Sequence, residues 1–288
     1  HASRAREGWA RRRPHVAGNV PTPFTSALME GCIERGRDML VGMKYWIPGH
    51  YERGLTNAAN ALAAIEEVVF KRKLASLGEL VEAMRGNFRD KKVRAYLLSA
   101  PKWGNDDDRA DRWALALLEM RERVLEEVDR EFGHKSHTVC HVVRSLHRLD
   151  GRRIPASPDG RLAWEPVADS IGAQTGTARN GPTAVLNSVL KIDYPRYYRG
   201  GYNLNITLPK SGARPEVLLP LIEGFFKRGG QELQINCFDV EILRDAQRNP
   251  EKYRDLIVRV AGFCARFVDL SRAEQEELIA RAEALGIT

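Results

Sequence analysis

Apolar residues recur at helical spacing along much of the chain. Between Asn57 and Phe70, Leu62, Ile65, Val68 and Val69 form one stripe, and Leu77–Phe88 repeats the pattern behind Ser76, a natural helix cap. A longer helix is expected from about Ala110 to Phe132, its start marked by Asp106-Asp107-Asp108, whose charges complement the helix dipole. After Pro21-Thr22-Pro23, Thr25 or Ser26 is placed to cap a helix carrying Ala27, Leu28, Cys32 and Ile33 on one side. Gly36–Gly54, punctuated by glycine and holding Tyr45, Trp46 and Tyr51, reads as a loop with buried aromatic anchors. Residues 1–20 read as irregular and basic.

Beyond Phe132 the pattern changes. Thr138–Val143 is β-branched, Pro155 and Pro158-Asp159-Gly160 mark turns, and residues 166–182 are rich in Gly, Ala, Ser and Thr, as in a long ordered loop or linker. Helical and extended runs then alternate. Helices are expected over Ala184–Ile192, Pro215–Arg228, Val240–Gln247 and Arg272–Leu285, and strands over Asn203–Leu208, Leu233–Phe238 and Leu256–Val260. This alternation indicates an α/β fold.

Composition narrows the classes. The 288 residues are 43% hydrophobic and 29% charged, enough for one large core or two smaller ones. No apolar run reaches the roughly 18–20 residues of a membrane helix, so no membrane partner is expected. The net charge of +7 is concentrated at one end, where Arg4, Arg6, Arg11, Arg12 and Arg13 face only Glu7 within residues 1–13. A nucleic-acid binder clusters its basic residues on a folded face, so nucleic acid is not expected either. Cys32, Cys140, Cys237 and Cys264 are widely spaced and form no zinc pattern, which suits free thiols in a reducing, cytoplasmic setting. No signal peptide is read at the start, and the first residue is His1.

One glycine is out of place. Leu256-Ile257-Val258-Arg259-Val260-Ala261-Gly262-Phe263 puts Gly262 where a β-branched or aromatic residue would pack better. A bulge or tight bend accounts for most such glycines. The alternative is chemical: a radical on a glycine Cα is delocalised over the neighbouring amide nitrogen and carbonyl, which requires a planar carbon free of a side chain.

The stretch Arg259-Val260-Ala261-Gly262-Phe263 resembles the C-terminal motif of the glycyl radical enzymes, with Phe263 in place of the usual tyrosine. Further similarity lies in Gln231–Asn236, Leu243–Gln247 and Asn249–Tyr253 before it, and in Ser157–Arg161, Asp169 and Arg179–Val185 with Ser188-Val189. Pro21–Phe24, Asn57–Ile65 and Gly104–Asp107 resemble the pyruvate formate-lyase-like region of the same family. The combination is closer to its dehydratase and lyase branch than to pyruvate formate-lyase.

The resemblance implies the C-terminal part of a ten-stranded α/β barrel surrounded by helices, with the radical loop inside. It divides the chain into a basic segment 1–20, a pyruvate formate-lyase-like part 21–165 and a glycine radical domain 166–288. Gly262 would store the radical, with Arg259 and Phe263 shaping its loop. No bound cofactor is implied; a radical S-adenosylmethionine activating enzyme with an iron–sulfur cluster would install the radical. A thiyl radical on a cysteine would then attack a small organic substrate, cleaving a C–O, C–N or C–C bond anaerobically. A homodimer of the full-length enzyme is also implied.

Gly31-Cys32-Ile33-Glu34 resembles the family's catalytic cysteine loop, yet Cys32 sits in a helical pattern, and its flanks resemble the segment that follows that loop. Cys32 therefore reads as a packed helix cysteine, and the catalytic thiol is expected upstream of His1, in a longer enzyme. Cys140 reads as core, Cys237 as part of a buried strand, and Cys264 as tied to the glycine loop. The rival is a radical-storage subunit that complements a partner carrying the thiol; a third option is an inactive scaffold.

Other constellations are weaker. His134, His137, Cys140, His141 and His147 lack a fixed ligand set, so no metal is expected. Asp106–Asp108 suffices as a solvated helix start. Gly172, Gly176 and Gly181 lack phosphate-loop spacing, and Tyr194, Tyr197, Tyr198 and Tyr202 suit packing better than base stacking.

Overall fold

The computed structural model describes residues 2–45, 47, 49–133, 137–142, 146–209, 212–260 and 263–283. Two compact units are distinguished: residues 1–50 with 120–138, and residues 51–119 with 139–288. No described helix is long and apolar enough to cross a membrane.

The first unit departs from the sequence reading. Ala2–Asn19 is helical through Pro14, not irregular, since its alanines and arginines are good helix formers even without an apolar stripe. Arg13 Nε donates to Leu40 O at 2.8 Å. The single helix expected around Cys32 is two short ones, Pro23–Ala27 and Cys32–Arg35, separated at Gly31, whose φ of 92° is left-handed. Asp38 organises this region, accepting from Thr22 N at 2.7 Å and from Leu40 N at 3.0 Å. Tyr45 is exposed rather than a buried anchor, and Trp46 lies outside the described residues.

The second unit follows the hydrophobic pattern more closely. Leu55–Ile65 is α-helical and passes into a π-helical turn, Glu66–Lys71. Leu77–Arg85 begins with a capping box: Ser76 Oγ accepts from Glu79 N while Glu79 reaches back to Ser76 N. Ala64, Val68, Leu80, Phe88 and Leu97 close the core between these helices and Lys91–Ser99. Tyr51 is exposed, so the second expected anchor is not one either.

Asn205–Pro209 and Gln234–Phe238 are parallel neighbours, joined through the Pro215–Lys227 helix as a βαβ unit. Ile257–Arg259 and Cys264–Arg266 pair antiparallel. The fold is α/β. Residues 166–180 hold no helix or strand, yet Val167, Ala168 and Ile171 are buried, so this is an ordered loop, and the expected loop ends two residues early because the Gly181–Leu190 helix begins at Gly181.

Candidate functional site: the glycine hairpin

Gly262 and Ala261 lie outside the described residues; the structure describes what flanks them. In the antiparallel pair Ile257 faces Arg266, Val258 faces Ala265, and Arg259 faces Cys264. Val260 N donates to Phe263 O at 2.9 Å, which brings the two strands together on either side of residues 261 and 262. The alternation is strict: Val258 and Val260 are buried while Ile257 and Arg259 are exposed. The buried side joins Leu243, Ala246, Phe267, Leu278 and Ile279, so the hairpin rests on the Val240–Arg248 and Arg272–Glu283 helices. Phe267 N donates to Leu256 O at 2.8 Å, and Gln275 Nε2 donates to Phe267 O at 2.9 Å.

The sequence-predicted flanking residues face outward. Phe263 is half exposed, and its ring is not core. Arg259 reaches the parallel strands, with Nε donating to Gln234 Oε1 at 3.0 Å. Cys264 is exposed, with Sγ 3.6 Å from an Arg259 guanidinium nitrogen. Cys237, expected in a buried strand, is exposed, although partial burial pushes its thiol pKa up. Cys140, expected in the core, is only half-buried. Cys32 is buried at the first turn of its short helix, beside Pro21, Pro23, Ser26 and Asp38, whereas Glu34 is exposed.

A second set of motif residues, scattered in sequence, converges behind the ordered loop. Asn57 Nδ2 donates to Asp159 Oδ2 at 2.7 Å, and Asn57 Oδ1 accepts from Ala168 N at 2.8 Å. Trp103 N donates to Asn60 Oδ1 at 2.7 Å, and its indole donates to Ile171 O at 2.7 Å. Asn105 accepts from Arg179 N at 2.6 Å and Asn180 N at 3.2 Å, and donates to Thr177 O at 2.8 Å. Gly104, at φ 89°, makes this approach possible: a Cβ there would lie 2.6 Å from Ala173 Cβ. Arg161 is almost fully buried and donates to backbone carbonyls of Leu162 and Glu165 at 2.9 and 2.8 Å. Asn57, Asn60, Asn105, Asp159 and Arg161 are buried, and these hydrogen bonds offset the cost of burying them. Their order along the chain was readable; their mutual contacts were not.

The histidines are dispersed among separate partners. His137 Nδ1 lies 2.5 Å from Asp129, and His147 Nε2 lies 2.5 Å from Glu277. His141 meets the Tyr198 ring edge-on, and His134 lies outside the described residues. No cluster among the described residues is arranged to hold a metal ion. Asp106 and Asp108 are not simply solvated: with Asp111 they surround Lys191 Nζ at 2.9, 2.7 and 2.7 Å. Burial raises the Asp111 pKa, and the three carboxylates together raise that of Lys191 despite its own desolvation. Tyr194, Tyr197, Tyr198 and Tyr202 are all buried, Tyr194 stacking on Tyr202 at 4.1 Å.

Comparison with known proteins identifies the class. The pyruvate formate lyase-like family matches residues 14–144, and the glycine radical family matches residues 167–268. The chain is 34% identical over 281 residues to trans-4-hydroxy-L-proline dehydratase of Clostridioides difficile, covering 93% of this chain and 34% of that protein. It superimposes on the glycerol-bound B12-independent glycerol dehydratase from Clostridium butyricum with a TM-score of 0.84 and 31% identity, over 93% of this chain and 35% of that one. A glycyl radical enzyme from Archaeoglobus fulgidus gives a TM-score of 0.82 at 35% identity, with 93% and 35% covered. This chain belongs to the glycyl radical enzyme family. It spans about a third of the length of the curated relatives it matches.

Proposed function

We propose that this chain stores an unpaired electron on Gly262 and takes part in anaerobic cleavage of a C–O, C–N or C–C bond in a small organic substrate. The observation that carries this reading is the hairpin. Its strands bracket residue 262, and Val258 and Val260 anchor it in a packed core. It also falls within the matched glycine radical region. A radical at that position gains stability from delocalisation over the two adjacent peptide groups.

In this reading an activating enzyme, using S-adenosylmethionine and an iron–sulfur cluster, removes one hydrogen atom from the Gly262 Cα. The glycyl radical takes a hydrogen atom from a cysteine thiol, and the resulting thiyl radical takes one from the substrate. Buried Cys32, apart from exposed Glu34, favours a thiol supplied from outside residues 1–288. Residues 21–165 and 166–288 are read as the C-terminal part of the lyase-like domain and the glycine radical domain, contributing to a ten-stranded barrel. The full enzyme is read as a cytoplasmic homodimer. Dehydration, sulfite elimination and decarboxylation are the reactions in the names of similar proteins, and the lyase class is proposed from them.

Electron paramagnetic resonance after anaerobic activation tests the reading. A doublet is expected in the parent and none in Gly262→Ala, and air should cleave the activated chain at residue 262. A doublet of equal yield in Gly262→Ala would overturn it.

A further inference from the structure

The parallel strand pair has two unlike faces. Asn205 and Thr207 alternate with Ile206 and Leu208, and Gln234 and Asn236 alternate with Ile235 and Cys237. The register sets Asn205 beside Gln234 and Thr207 beside Asn236, so the four polar side chains share one face. Ile206 and Leu208 are buried on the other.

Arg259 ties the hairpin to the polar face. It is the last residue of the first hairpin strand, and its Nε–H donates to Gln234 Oε1 at 3.0 Å. Its guanidinium also lies 3.6 Å from Cys264 Sγ, on the opposite hairpin strand. Its charge is felt at Glu232, lowering a carboxyl that burial pushes up. Glu232 in turn accepts from Leu204 N at 2.7 Å. One guanidinium thus meets both hairpin strands and the lead-in to a parallel strand.

We propose that Gln234 is a positioning residue for the radical hairpin, holding Arg259 so that the hairpin strands flanking residue 262 stay tied to the parallel pair. This rests on the reading of Gly262 given above. Gln234 suits the role because its own backbone is fixed: it lies in the parallel ladder, and its N–H donates to Leu204 O at 2.8 Å. A side chain presented from a paired strand is held more tightly than one on a loop. A carboxamide also has no proton to lose near neutrality and no weakly bound hydrogen atom to surrender to a neighbouring radical. The guanidinium makes the hydrogen bond charge-assisted, hence stronger than one between neutral groups.

Two measurements on Gln234→Leu, with Gln234→Glu as the rescuing variant, decide the matter. Amide hydrogen exchange reads the seating of residues 263–266, and the decay of the glycyl doublet reads its consequence for the radical. Gln234→Leu is expected to speed exchange roughly fivefold, as for loss of one net hydrogen bond, and to shorten the doublet lifetime. Gln234→Glu, which keeps an acceptor for Arg259, should restore both. Unchanged exchange in Gln234→Leu overturns the proposal, as does faster exchange with an unaltered lifetime. If the parent itself gives no doublet, the Gly262 reading fails alone, and the exchange rates still decide whether Gln234 seats the hairpin.

Discussion

Lys102 carries a sharp test of the buried polar core. Its side chain is only 3% exposed, and Nζ donates to Leu97 O. Burial drives its pKa down from 10.5 to about 8; Asp159 opposes the drop and Arg179 adds to it. At pH 7 the ammonium is charged in both folded and unfolded chains, and the folded chain bears the cost of burying it. Between pH 8 and 10.5 the unfolded chain holds more protons than the folded one, so stability must rise with pH across that window. A shift of this size corresponds to about 3 kcal/mol. Lys102→Met removes the titration. Leu97 O keeps a bond from Ala100 N at 3.3 Å, so the lost Nζ bond is a constant offset and not a slope. Urea denaturation of parent and variant from pH 7 to 10.5, followed by circular dichroism and tryptophan fluorescence, gives the difference directly. The parent should gain about 3 kcal/mol on the variant over that range. Parallel curves would refute the reasoning.

Two further outcomes follow from neighbouring residues. Asn105→Ala should destabilise by about 3 kcal/mol, because it strands the Arg179 and Asn180 amides and the Thr177 carbonyl together; the denaturation midpoint checks this, and a loss under about 0.5 kcal/mol would be inconsistent with it. Trp164 holds a left-handed φ of 75° and is 70% exposed. Trp164→Gly should relieve about 1 kcal/mol of backbone strain and raise the melting temperature, whereas a lower one would show that the indole is more useful than its conformation is costly.

The parts of the fold legible in the sequence are those fixed by local chemistry. Ser76 and Glu79 announce their helix because a capping box needs only four consecutive residues. Asp90 gives a similar signal, accepting from Lys92 N, yet the short Lys91–Ser99 helix has a weak apolar stripe and escaped the periodicity reading. The break at Gly31 was hidden because Leu28, Cys32 and Ile33 keep helical spacing across it. The Cys264–Arg266 strand was missed because three residues carry too little alternation, and its register is supplied by Ile257–Arg259.

The candidate site divides in the same way. The Arg259–Phe263 motif is contiguous, so it could be read directly. Gln234 lies 25 positions from Arg259, and nothing local marks it as that arginine's acceptor. The bonds donated by Asn57 to Asp159 and by the Arg179 backbone to Asn105 join still more distant segments. Cys32 shows the converse: a suggestive local motif in which the sequence did not announce that the thiol is buried while the Glu34 carboxylate is exposed.

Lys191, gathered in by Asp106, Asp108 and Asp111, gives one helix a permanently attached counter-ion for the acidic start of another. A tethered ammonium cannot be chelated or dialysed away. Asp108 is 90% exposed and Asp111 only 1%, so salt should weaken the outer attachment while leaving the inner one nearly untouched. The Lys191–Asp111 contact at the junction of the Asp108–Phe132 and Gly181–Leu190 helices is therefore insulated from the ionic composition of its surroundings.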